Sequence, residues 1–163
     1  MVGKIISRNH KYRDEFIIIG AHFDHLGYGG PGSGSLKPDT IAVHNGANDN
    51  ASGTAGLLEL AHKLQANRKL LKRSILFIAF DAEEKGLLGS KYFVQNPTIN
   101  IKNVSAMINM DMIGKMRDST VIIGGVGTSP VFEPILDSLS IDSGLKFEYD
   151  KACLLYTSDA ADD

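Results

Sequence analysis

Residues 74–80 read SILFIAF and run directly into Asp81, Ala82, Glu83 and Glu84. A continuous apolar run of this length, rich in branched and aromatic side chains, suits a strand buried on both faces in the middle of a parallel sheet. Residues 15–21 (EFIIIGA) repeat the pattern and run into His22, Phe23, Asp24 and His25. Between the two strands, Leu57, Leu60, Ala61 and Leu64 follow the i, i+3, i+4, i+7 spacing of an amphipathic helix. That helix is predicted over 51–66, with Asp49, Asn50 and Ser52 as cap-type residues at its start. Further out, the pattern predicts a short helix over 86–94 stopped by Asn96 and Pro97, strands over 104–109 and 120–123, and a last helix starting at Pro130. Strands alternating with helices predict an α/β fold, a three-layer α/β/α arrangement around a mostly parallel mixed sheet. Residues 27–35 (GYGGPGSGS) read as a mobile surface loop.

With 163 residues, 43% of them hydrophobic and 22% charged, the composition fits one globular domain and excludes collagen-like, coiled-coil and disordered chains. A net charge of -2 without a basic run argues against a nucleic-acid partner. No stretch approaches the roughly 18 to 20 apolar residues of a membrane span. Lys4, Arg8 and Lys11 are not followed by the apolar core of a signal peptide. The single cysteine, Cys153, allows no disulfide framework. It opens residues 153–163 (CLLYTSDAADD), which resemble the translated read-through of a sequencing-library adapter. They are expected to be a non-native tail on a domain covering 1–152, with the natural chain extending beyond both ends.

Ligands of open α/β sheets bind beyond the carboxyl ends of the strands, so the residues standing there carry the functional signal. His22, Asp24 and His25 follow the first strand, Glu83 and Glu84 the second, and Asp111 the third. The segment 45–53 (NGANDNASG) delivers Asp49 just ahead of a helix. Imidazole and carboxylates without thiolate suit zinc, manganese or cobalt, and a carboxylate can bridge two ions where an imidazole serves one. His22 and Asp24 are two residues apart and share one face of an extended chain, so Asp24 can accept the ring N–H that His22 does not use for metal. Glu83 and Glu84 are adjacent and point different ways, one suited to a metal and the other to general-base work. Each feature alone has an ordinary reading: a surface His–Asp pair, a solvated Glu pair, an N-cap at Asp49. Their conjunction at one sheet edge argues for metal-dependent hydrolysis.

Four segments together, 20–27 (GAHFDHLG), 45–53 (NGANDNASG), 80–90 (FDAEEKGLLGS) and 109–114 (NMDMIG), resemble the M28 metallo-aminopeptidases, a family of dinuclear zinc exopeptidases. The resemblance implies a zinc-exopeptidase-like fold in which Asp49 bridges two zinc ions. It implies that His22 and Asp111 complete the protein ligands of one ion, that Glu84 binds the other, that Glu83 is the general base, and that Asp24 is the partner of His22. The implied reaction is hydrolysis of an N-terminal peptide bond through a water bridging the ions. Peptides are the implied substrate, zinc the implied cofactor, and a secreted, periplasmic or cell-envelope location the implied setting. Family members carry a further His ligand downstream of the Asp111 segment, and no such motif stands before residue 153. His10, His25, His44 and His62 are poor substitutes by position. One metal position is therefore expected to have His22, Asp49 and Asp111, and the other only Asp49 and Glu84, leaving the chain inactive or impaired. The alternatives are a carboxypeptidase or glutaminyl cyclase on the same scaffold, or a binding module without metals.

Overall fold

Four strands, β1 (Val2–Ile5), β2 (Phe16–His22), β3 (Ser74–Phe80) and β4 (Val104–Asn109), form one mixed sheet in the order β1-β3-β2-β4. The structure, a computed structural model, describes residues 1–150; the tail expected at 153–163 lies outside the described residues. Both continuous apolar runs occupy the interior of the sheet: β2 lies between β3 and β4, parallel to each, and β3 lies between β2 and the antiparallel β1. The physical reason is burial on two faces. Ile19, Ala21, Ile75 and Phe77 pack in one cluster with Leu57 of α1 (Gly53–Ala66). Ile18, Leu76, Ile78 and Phe80 pack in another with Phe93 of α2 (Leu88–Gln95). Successive strand side chains point to opposite faces, so these clusters lie on opposite sides of the sheet, and the two helices make the outer layers. The three-layer arrangement expected from the alternation of elements is present in this part of the chain.

Each large aliphatic side chain buried this way contributes about 1.5–3 kcal/mol, and Leu76 and Ile78 are among the least exposed of them. The helical spacing is carried through into packing, since Leu60, Ala61 and Leu64 join Leu57 against the same cluster. β1 has no counterpart in the sequence reading. Its four residues include Gly3 and Lys4 and only Ile5 is buried, so no apolar run announces it. Among the described residues β4 is an edge strand, with Met107 and Ile108 about half exposed.

The chain divides into two compact units, residues 1–114 and a second beginning at Lys115. In the second, β5 (Thr120–Gly124) and β6 (Lys146–Asp150) form their own parallel pair, joined through α3 (Phe132–Ser143). The strand expected at 120–123 is therefore present but belongs to a separate sheet. β6 was not expected, although Phe147 and Tyr149 alternate there with polar residues. The last helix starts two residues after Pro130; it is Pro134 that occupies the first turn, where a missing N–H is tolerated. Residues 27–35 are pinned rather than free. Ser33 and Ser35 are buried, the Ser33 hydroxyl donates to Gly30 O, and the Ser35 hydroxyl lies 2.8 Å from His44 Nε2. Among the described residues no helix is long and apolar enough to cross a membrane.

Candidate metal centre

The four segments singled out in the sequence converge at the carboxyl ends of β2, β3 and β4, and side-chain-to-backbone hydrogen bonds tie them together. The Asp24 carboxylate accepts the N–H groups of both Glu83 (2.9 Å) and Glu84 (3.2 Å). Thr54 at the start of α1 donates to His22 O (3.0 Å). Asn50, only 1% exposed, donates from its amide to Met110 O and accepts from Gly53 N and Met112 N. Asn50 thus fastens the Asp49 segment to the Asp111 segment. Gly53 is required for that approach: a Cβ there would lie 2.4 Å from Asn50 Oδ1 and 2.5 Å from Met110 O.

Asp49 has the residue type and the position of an N-cap but takes no such role. Its backbone leaves the helical region (φ -107°, ψ 100°), and Asn50 makes the bond to the first helical N–H. The Asp49 Oδ1 atom is buried and has no hydrogen-bond partner. It lies 3.2 Å from His22 Nε2, which is in turn 3.5 Å from Asp111 Oδ1. Asp49 also belongs to a second cluster with His25 and Glu84, and in each triad the donor atoms lie within 4.8 Å of one another. Within the second, His25 Nδ1 is 2.8 Å from Glu84 Oε1.

His22, 3% exposed, carries a pKa pushed up to about 10. Burial acts to lower it, but the attraction of the Asp111, Asp49 and Glu83 carboxylates outweighs that effect. Burial raises the Glu83 carboxyl above the usual range; Glu84, Asp111 and Asp24 add to the rise and His22 opposes it. Glu84 is raised by burial first and by Asp49 next, with His25 opposing. Clustered carboxylates that resist ionisation, beside an imidazole held protonated, mark a site short of positive charge.

The residues present fit a metal ion of the zinc type. The donors are imidazole nitrogens and carboxylate oxygens, and two donors about 2.0 Å from one tetrahedral ion stand roughly 3.3 Å apart. The separations from His22 to Asp49 and Asp111 match that spacing. Asp49 belongs to both triads, and its orphaned, buried Oδ1 is an atom that an ion would satisfy.

The structure brings His22, Asp24, Asp49, Glu83, Glu84 and Asp111 together, as the strand-end reading expected. Two details differ. His22 Nδ1 donates most closely to the main-chain O of Asp24 (3.2 Å), with the Asp24 carboxylate at 3.7 Å, so the side chain serves first to hold Glu83 and Glu84. His25, expected to be a poor substitute for the further His ligand, contacts Glu84 directly. Asn50 was read only as a cap. Its tie to Met110 and Met112 joins residues some 60 positions apart, which no local pattern reveals. His44 is engaged by Ser35 and Ala42 O, and His10 and His62 are exposed elsewhere.

Similarity to known proteins runs in the same direction. The sequence profile of peptidase family M28 matches residues 1–161. The chain is 35% identical over 114 residues to a "Probable zinc metalloprotease" of Phaeosphaeria nodorum, covering 66% of this chain and 23% of that protein. It is 42% identical over 77 residues to "Aminopeptidase YwaD" of Bacillus subtilis, covering 47% of this chain and 16% of that protein. It therefore spans less than a quarter of the length of either. Among solved structures, a glutaminyl cyclase from an Acidobacteriales bacterium superposes with a TM-score of 0.65 at 22% identity, covering 93% of this chain and 50% of that one, a likeness of fold. With the family profile covering nearly its whole length, and donor triads assembled at the strand ends, the chain belongs to peptidase family M28.

Proposed function

We propose that the chain is the metal-binding part of a zinc-dependent exopeptidase of the aminopeptidase type, with residues 1–152 a partial catalytic domain and 153–163 a non-native tail. The observation that carries the reading is Asp49, shared by two donor triads, with a buried oxygen that has no partner. His22, Asp49 and Asp111 would hold one zinc ion, and Asp49 and Glu84 would take part in holding a second. When bound, zinc makes water acidic and polarises a carbonyl oxygen. Membership of a peptidase family and the names of the zinc metalloprotease and aminopeptidase relatives support peptides as substrate and zinc as metal.

The residues of the chain then divide the work. Glu83, its carboxyl raised by burial and by neighbouring carboxylates, takes a proton from the attacking water and returns it to the leaving amine. One water is consumed, a C–O bond forms and the peptide C–N bond breaks. Asp24 is a positioning residue, holding the N–H groups of Glu83 and Glu84 so that the two carboxylates keep different directions. The test is hydrolysis of unblocked and N-acetylated aminoacyl anilides by the zinc-loaded chain, alongside Glu83→Gln. Release from the unblocked substrate alone, slow in this partial domain and lost in Glu83→Gln with metal retained, is the expected result. Cleavage of the acetylated substrate at an equal rate, or full activity in Glu83→Gln, would overturn the reading.

A further inference from the structure

We infer that the amino-terminal edge of the sheet, at the opposite end of β2 and β3 from the metal centre, is a docking surface for anionic lipid membranes. Residues 8–15 and 67–73 lead into β2 and β3, and together they hold seven of the chain's 17 lysines and arginines against two of its 19 acidic residues. Tertiary structure joins the two segments into one surface. The buried Ser7 hydroxyl donates to Leu71 O (2.6 Å), the Ser74 hydroxyl donates to Arg13 O, and Arg68 Nε donates to Ile6 O (2.9 Å). Arg73 is neutralised by Glu15, Nε to Oε2 at 2.7 Å, and Arg13 lies 4.0 Å from Asp14. Arg8, Lys11, Lys69 and Lys72 are exposed, and no carboxylate among the described residues pairs with them.

Leu70 decides which anionic partner this surface fits. It is 78% exposed at the end of the turn Arg68–Leu70, between Lys69 and Lys72, and its N–H is fixed to Asn67 O (2.9 Å). A lone exposed leucine is ordinary, but an aliphatic tip ringed by cations matches anionic headgroups lying over hydrocarbon. The cations stay at the level of the phosphates while the leucine enters the acyl boundary. A single-stranded nucleic acid would instead need a free aromatic face on which its bases stack. Tyr12, the aromatic ring of these segments, is half-buried and has Lys11 and Arg73 at 4.9 and 5.1 Å from its centroid. β2 and β3 have seven residues each, so roughly 20 Å separates this edge from the carboxyl ends. The carboxylates gathered there are repelled by anionic lipid, so docking through the basic edge turns the metal centre toward solution.

The test is co-flotation of the metal-free chain with vesicles of phosphatidylcholine alone and of equimolar phosphatidylcholine and phosphatidylglycerol. It needs neither metal nor hydrolysis, so its outcome stands apart from the proposed function. Capture by the mixed vesicles alone, reversed by salt, is expected. Lys69→Gln combined with Lys72→Gln should weaken capture roughly 25-fold, about five-fold for each cation removed. Lys37→Gln combined with Lys91→Gln makes the same change in net charge at exposed positions outside the two segments and should leave capture unchanged. The chain contains no tryptophan, so Leu70→Trp reports on the tip directly. Its emission should shift to the blue with mixed vesicles and stay in place with heparin or single-stranded DNA. Every substituted side chain is exposed, and melting curves check that each variant is folded. Equal capture by phosphatidylcholine alone, capture indifferent to Lys69 and Lys72, or no capture at all would overturn the inference. Binding to heparin or DNA without a blue shift on vesicles would also overturn it, assigning the surface to a soluble polyanion.

Discussion

The two donor triads share Asp49 but are held together in different ways. His22 and Asp111 each stand two residues beyond a paired position, Gly20 opposite Asn109, in the parallel ladder of β2 and β4. Sheet register brings them side by side. His25 and Glu84 lie past the ends of their strands, and the Asp24 carboxylate, gripping the N–H groups of Glu83 and Glu84, secures the segment that carries Glu84. A ladder-held site is as firm as the sheet beneath it, whereas a loop-held site opens with the few hydrogen bonds that define it. The difference predicts a first position preorganised by backbone and a second that depends on single side chains.

The largest effect should come from the residue common to both. Asp49→Ala is expected to remove both ions, so zinc at about 1,000 times Kd, which should stabilise the parent by about 4 kcal/mol, should barely move the melting point of the variant. Retention of one ion at parental affinity would break the idea that Asp49 is shared. Glu83→Gln should leave metal content unchanged while hydrolysis falls roughly 100- to 10,000-fold; loss of an ion would instead make Glu83 a ligand.

Asp24→Ala separates the two modes of support. It releases two N–H donors at the Glu83–Glu84 turn and should cost about 1–3 kcal/mol in metal-free stability. Chelator competition should find the ion held through Glu84 weakened more than that of the His22 triad. Equal weakening would mean that the two sites are held alike.

Protonation sharpens the same contrast, because the His22 position is the one held strongly protonated. In the folded, metal-free chain the His22 pKa is raised from 6.5 to about 10. Its stabilising contribution is therefore fully present below 6.5 and is lost as pH rises through about 10. The melting temperature of the chelator-treated chain should carry that falling contribution across the window. Metal at Nε2 replaces the proton, so zinc should flatten the slope and release about one proton per ion at this triad, measurable by calorimetry in buffers of differing protonation enthalpy. The smallest expected effect is at Ala82, which links β3 to Glu83 with φ 53°, in the left-handed region. Ala82→Gly relieves about 1 kcal/mol of strain and loses part of it to chain entropy, for a net gain below about 1 kcal/mol. A clear destabilisation in chemical denaturation would contradict this balance.

Much of this was legible from local pattern. The extents of β3 and β4 follow their apolar runs, and α1 follows its apolar spacing. The carboxylates beyond the strands met because parallel neighbours direct their carboxyl ends to one edge. β1 was not legible because Val2, Gly3 and Lys4 are exposed on the sheet edge and carry no hydrophobic signature. The start of α3 was misplaced because two prolines, Pro130 and Pro134, offer the same signal and only the backbone distinguishes them.

The amino-acid sequence by itself determined which segments become strands and helices and which strand ends carry imidazole and carboxylate, since periodicity, branching and residue chemistry are local properties. Tertiary structure alone decided that Asn50 would bind Met110 and Met112, that Asp24 would hold the backbone of Glu83 and Glu84, and that His25 would meet Glu84. These partners lie about 60 residues apart in the chain. Their contacts exist only after the sheet has set its register and the loops have closed over it, so no short window of sequence contains the geometry that joins them.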